Sequence, residues 1–182
     1  MTKKALIILA DGFEEIEAIA VIDVLRRASL QISVCSLANT LVSGSRNIKV
    51  QADMPLAEFK EDFDALILPG GSQGANNLAA SQLVNHLIKQ ADSKNKIIAA
   101  ICATPAVVLA PLGILEGKKT TCYPGMQNLL PKSTVYKETP VVVDNNLITS
   151  RGPATAIEFA LKIVEQLTDR ETAVRVGKQL LA

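Results

Sequence analysis

The sequence has no tryptophan and only 3% aromatic residues, so its core has to be built from Val, Ile, Leu and Ala. Such a core suits parallel strands covered on both faces by helices. There is a single histidine, His86. A nucleophile activated by imidazole has only that candidate partner, and a histidine-rich metal site has none. His86 sits beside Asn85 and four residues before Gln90, in a stretch that reads as a solvated helix face. Neither charge sign is in excess, since 19 Lys and Arg stand against 18 Asp and Glu. We therefore expect neither nucleic acid nor a membrane surface as partner. Long apolar runs are also missing. Ala5 to Ala10 is too short for a signal-peptide core and leads into Asp11, Glu14 and Glu15, and no segment approaches a membrane span. The three cysteines, Cys35, Cys102 and Cys122, are widely spaced with no CxxC pair. They read as free thiols in a reducing cytoplasm, with no metal or cofactor called for.

What is present is a repeated alternation of apolar strand and helix. The 182 residues suffice for one domain, expected over 1–182, with a core that needs no disulfide. Ala5 to Ala10, Ile32 to Leu37, Phe63 to Leu68, Lys96 to Ile101 and Leu147 to Ser150 read as strands. Helices are expected over Glu14 to Ala28, Ser81 to Ala91, Ala103 to Leu112 and Ala154 to Leu167. Thr168 to Glu171 has capping-box spacing and predicts a last helix to Leu181. Leu41 to Gln51 and Lys118 to Val143 read as excursions and a hairpin, with turns at Pro124-Gly125 and Asn145-Asn146. The fold class is an α/β, doubly wound, mostly parallel sheet with helices on both faces.

In such sheets ligands bind beyond the carboxyl ends of the strands. There the chain delivers Asp11 to Glu17, Gly70-Gly71, Cys102, and Arg151-Gly152-Pro153. Cys102 lies between a buried strand and a segment with Pro105 in its first turn, an arrangement like a nucleophile elbow. Free N–H groups and a helix dipole at that point favour thiolate, whereas a buried structural cysteine is the alternative. Cys35, inside a strand, reads as core. Glu14, Glu15 and Glu17 all complement a helix start. Glu17 shares a stripe with Phe13, Ala20 and Val21, where partial desolvation favours a retained proton, but spacing does not separate it from Glu15. Gly70-Gly71 can bring backbone N–H donors to an oxyanion, and Arg151 can bind an anion or pair with a surface acid. The first helix is apolar nearly all round, which predicts burial on more than one side or a subunit contact.

Four motifs in order, Asp11-Gly12-Phe13-Glu14-Glu15-Ile16-Glu17, Leu68-Pro69-Gly70-Gly71, Ala100-Ile101-Cys102-Ala103 and Thr149-Ser150-Arg151-Gly152-Pro153, make the chain resemble the ThiJ/PfpI family over essentially its whole length. The likeness is nearest to the branch of the parkinsonism-associated protein deglycase and bacterial ThiJ-like proteins. It implies a flavodoxin-like sandwich, a homodimer, Cys102 as an oxidisable nucleophile and Glu17 as its protonated partner. It further implies Gly71 and Ala103 as N–H donors and Arg46 with Arg26 or Arg27 near the dimer interface, and Gly70, Arg151, Pro153 and Arg46 are expected to line the site. The implied activity is detoxification of reactive dicarbonyls or their amine and thiol adducts, of glyoxalase or deglycase type. A non-enzymatic oxidative-stress sensor and chaperone is the alternative. Proteolytic relatives carry His after the cysteine, and Ala103 stands there instead, so the peptidase reading lacks its base.

Overall fold

A computed structural model describes residues 2–182. Eleven strands are present among the described residues: β1 (Lys4–Leu9), β2 (Gln31–Ser36), β3 (Leu41–Ser43), β4 (Lys49–Gln51), β5 (Met54–Pro55), β6 (Ala65–Leu68), β7 (Ile97–Ile101), β8 (Lys119–Thr120), β9 (Val135–Tyr136), β10 (Val141–Asp144) and β11 (Leu147–Ser150). The α-helices are α1 (Glu15–Arg27), α2 (Ser72–Ala80), α3 (Gln82–Ser93), α4 (Ala156–Leu167) and α5 (Arg170–Leu180). A seven-stranded sheet runs in the order β10-β11-β7-β6-β1-β2-β5. Only the β10/β11 pair in it is antiparallel, and that pair is a hairpin through Asn145-Asn146. The expected doubly wound α/β sheet is thus the observed one.

The central strands read as unbroken apolar runs because both faces are covered. Leu6, Ile7, Ile8 and Leu9 in β1 and Leu66, Ile67 and Leu68 in β6 are all fully buried. From β1 the chain crosses to β2 on one side, and later returns to β6 on the other. Right-handed crossovers in these opposite directions put α1 and α3 on opposite faces. They also leave a crevice at the carboxyl ends of β1 and β6, where the strand order reverses. α4 packs against α1.

Three expectations need correction. The helix expected over 103–112 is a π-helical turn at Pro105–Leu109 followed by a 3-10 turn at Ala110–Leu112. Pro111 has no N–H to continue an α-helical ladder, and the Ala110 N–H reaches back five residues to the Pro105 carbonyl. α2 was not expected at all. Its sequence, SQGANNLAA, is poor in helix formers, and it is held by packing of Ala75 and Leu78 and by an Asn77 Nδ2 bond of 2.8 Å to the Asp11 carbonyl. The last helix is capped by Asp169, whose carboxylate accepts the Thr172 N–H at 2.7 Å. Thr168 instead turns its hydroxyl to the Val164 carbonyl. The 41–51 segment is the antiparallel β3/β4 hairpin.

Candidate functional site

At the end of β7 the backbone turns sharply. Cys102 has φ of 66°, the left-handed region that a residue with a Cβ enters at a cost of about 1–2 kcal/mol. Two bonds hold the turn: the Cys102 N–H donates to the Ser150 carbonyl at 2.9 Å, and the Tyr123 N–H donates to the Cys102 carbonyl at 2.8 Å. The thiol thereby meets the backbone N–H groups of Gly71 and Ala103. It does not sit at the start of a regular α-helix, so these local amides replace the expected macrodipole.

Glu17 lies in the first turn of α1 and is fully buried. Its Oε2 accepts the Gly70 N–H at 2.7 Å, while Oε1 is buried with no hydrogen-bond partner. Gly70 is confined between the two acids: a Cβ there would stand 2.5 Å from Cys102 Cβ and 2.6 Å from Glu17 Oε2. Gly71, with φ of 88°, passes so close to the Gly12 carbonyl that no side chain fits.

Burial pushes Glu17 up to about 7, opposed by the Gly70 N–H and Cys102 and aided by the charge of Glu14. Burial, then the charge of an ionised Glu17, pushes the Cys102 thiol up to about 12, against the amides of Gly71 and Ala103. The shared root of both shifts is burial, which penalises the charged form; at Cys102 the charge of an ionised Glu17 adds to it, so the corner holds one negative charge more easily than two. When the proton sits on Glu17, the repulsion disappears and its O–H becomes a donor to sulfur. Neutral Glu17 with thiolate and carboxylate with thiol are the two singly charged forms of the pair.

The ambiguity between Glu15 and Glu17 is resolved by helix rotation. Glu15 points to the β3/β4 hairpin, accepting the Arg46 N–H at 2.7 Å and the Ser45 hydroxyl at 3.0 Å. Burial raises its pKa, but the Arg46, Ser45 and Ile48 donors outweigh that and leave it below the usual carboxylate range. Glu15 therefore fixes the hairpin, and the hairpin in turn lines the site. A cavity of about 690 Å³ opens over Cys102, walled by Ala103, Gly71, Arg46, Tyr123, Met126 and Pro153, with Glu14, Ser45 and Gln73 among its polar groups.

Of the residues expected at the site, Cys102, Glu17, Gly70, Gly71, Ala103, Pro153 and Arg46 come together. Arg151 is not among the cavity-lining residues, and its guanidinium donates to the Glu138 carbonyl at 3.1 Å. His86 is exposed on α3, and Cys35 is buried in β2 with its thiol pushed up to about 11 by burial. Cys122, unplaced from sequence, is fully buried, and burial pushes it to about 11 against the nearby charge of Arg151. Sequence reasoning missed Ser45, Gln73, Tyr123 and Met126 as wall residues. Only the Pro124-Gly125 turn gave any signal for them. Among the described residues no group of three or more His, Cys, Asp or Glu is placed to hold a metal ion.

The model of the DJ-1/PfpI family matches residues 3–166. The chain is 46% identical to protein dj-1beta of Drosophila melanogaster over 184 residues, covering 100% of this chain and 98% of that one. It is 49% identical to protein DJ-1 homolog B of Arabidopsis thaliana, of whose length the match spans only 41%. Identity to the glutathione-independent glyoxalase DJR-1.2 of Caenorhabditis elegans is 37%, over 98% of this chain and 96% of that one. Among solved structures, Drosophila melanogaster DJ-1beta superposes with a TM-score of 0.96 at 45% identity, covering 100% and 99% of the two chains. Toxoplasma gondii DJ-1, oxidized, gives 0.96 at 40% identity, covering 99% and 98%.

Proposed function

The chain belongs to the DJ-1/PfpI family, and from that premise we propose that it is a cysteine-dependent enzyme that converts reactive dicarbonyls such as methylglyoxal, or their early adducts with amines and thiols, into hydroxy acids. One observation carries this reading: a buried carboxyl with one bonded and one unpartnered oxygen stands beside a thiol that faces two backbone N–H donors. Cys102 thiolate adds to the aldehyde carbon, forming the C–S bond of a hemithioacetal, and the carbonyl oxygen takes the proton of Glu17, leaving its carboxylate. The Gly71 and Ala103 amides stabilise the developing oxyanion. Glu17 removes the hydrogen from the former aldehyde carbon, giving an enediol, and returns it to the neighbouring carbon, leaving a thioester. Water hydrolyses the thioester, releasing the hydroxy acid and the thiol. The net change is dicarbonyl plus water to hydroxy acid, with no oxidant required. A name borne by one relative, glutathione-independent glyoxalase, supports the same class of chemistry.

The test is lactate formation from methylglyoxal by the native chain and by Cys102→Ala, run beside a preformed amine adduct under conditions that remove free dicarbonyl. Loss of product from methylglyoxal in the variant is expected. Absence of product with the native chain would sink the enzyme reading and leave the second one, a redox sensor in which Glu17 Oε1 donates to an oxidised Cys102. That reading draws support from the oxidized form in which a similar protein, that of Toxoplasma gondii, was solved.

A homodimer through α1 belongs to the same proposal. Ile16 (57% exposed) and Ile19 (43%) point outward from α1, and Ile48 (56%) stands exposed beside β4. Large apolar side chains clustered on one face fit a second copy of the chain.

A further inference from the structure

Behind Cys102 and Glu17 lies a peptide unit bonded at both ends. The Thr104 hydroxyl, fully buried, donates to the Pro69 carbonyl at 2.7 Å. The N–H of the same peptide, that of Gly70, donates to Glu17 Oε2 at 2.7 Å. The next carbonyl, that of Gly70, accepts the Glu14 N–H at 3.0 Å. Thr104 is two residues past the thiol on the elbow, so one short relay joins the elbow to the carboxyl by way of the 69–70 peptide.

We propose that Thr104 is a positioning residue, which acts through the Pro69–Gly70 peptide to hold Glu17 with Oε2 bound and Oε1 free to exchange its proton with Cys102. Two physical effects follow from the relay. A donor at the carbonyl end of an amide polarises it and strengthens its N–H as a donor, by roughly 10–30% per bond in a buried chain of this kind. And the amide plane, pinned at both ends, fixes the direction from which Glu17 is held, so the carboxyl does not rotate. Without the hydroxyl, the Pro69 carbonyl loses a buried donor and the Gly70 N–H is freed to tilt. Glu17, losing part of the donor that favours its carboxylate, then holds its proton more tightly, and the singly charged pair shifts toward the thiolate form. The titratable groups that bear on Glu17 are Cys102 from the elbow and Glu14 from the start of α1. Thr104 carries no charge and touches neither substrate nor sulfur in this role.

The inference rests on the reading of Cys102 and Glu17 as the working pair. Its readout is therefore the alkylation of Cys102 by iodoacetamide against pH, followed by mass spectrometry, which needs no dicarbonyl turnover. Thr104→Val, nearly isosteric, is expected to speed alkylation at pH 7 about threefold to tenfold and move the profile to lower pH, whereas Thr104→Ser restores it to within about twofold. In a Glu17→Leu background, Thr104→Val is expected to change nothing further, because its route runs through the carboxyl. If Thr104→Val does not fold, Thr104→Ala against Thr104→Ser makes the same comparison. A Thr104 variant without the hydroxyl whose profile overlays the native one would overturn the inference, as would an undiminished effect in the Glu17→Leu background. A shifted profile in Glu17→Leu alone would show that the pair stands and only the role of Thr104 fails. No shift in either variant would remove the pair itself.

Discussion

At the scale of single residues, the pair Cys102 and Glu17 makes two predictions with opposite pH signatures. Glu17→Leu deletes the donor to the thiolate, so the Cys102 pKa is expected to rise and alkylation near neutral pH to slow. A lower Cys102 pKa in that variant would mean that repulsion from an ionised Glu17 dominates. The second prediction concerns folding. Burial raises Glu17 from the ordinary carboxyl value of 4.5 to about 7, so the native state binds the proton more tightly than the unfolded chain does. Stability from this group is thus fully present below about 4.5 and is lost as pH rises through about 7, on the order of 3 kcal/mol in all. Urea titrations at several pH values should show that slope in the native chain and its absence in Glu17→Gln. His86, exposed on α3, is not called on by the proposed chemistry, and His86→Ala is expected to keep activity within about tenfold, or 1.4 kcal/mol of transition-state stabilisation. A larger loss in kcat/KM would restore an imidazole to the mechanism.

At the scale of elements, α2 shows how packing overrides propensity. In an isolated helix Gly→Ala stabilises by about 1 kcal/mol. At Gly74 a Cβ would instead stand 2.8 Å from both Phe13 Cα and Phe13 N, on the backbone of the loop that enters α1. Gly74→Ala is therefore expected to destabilise by about 1–3 kcal/mol, measured by denaturant midpoint, and a gain in stability would show that the loop yields freely. The same packing explains what could be read from the chain. Strands β1, β6 and β7 were legible because burial on both faces demands unbroken apolar runs, and α1 and α4 because their length and apolar content are unmistakable. α2 was illegible because Gly74 and Asn77 carry no helical signal and serve contacts with Phe13 and Asp11, far back along the chain. At the site, Cys102 and the double glycine announced themselves at strand ends. The assignment of Glu17 over Glu15 did not, since two residues along a helix differ by about 200° of rotation and only the finished packing says which one meets the sulfur. The cavity wall comes from the β1–α1 loop, the β3/β4 hairpin, the start of α2 and the Tyr123–Met126 turn, and no spacing in the sequence joins these four.

At the scale of the whole molecule, the outward face of α1 leads to a measurable expectation. Light scattering should report a dimer at micromolar concentration, and Ile19→Glu, which puts a charge among exposed apolar side chains, should shift it toward monomer; a native chain that is already monomeric would contradict the dimer. Ile16 and Glu17 are consecutive residues, one turned out to the apolar face and the other buried against Gly70. The hairpin shows the same division, with Arg46 walling the cavity and Ile48 exposed two residues later. A single turn of chain thus separates the surface where copies would meet from the groups that handle the proton. Abundance then becomes a variable of the chemistry: on dilution, each molecule would lose the neighbour that braces its own hairpin and helix, and specific activity would fall before any molecule unfolds.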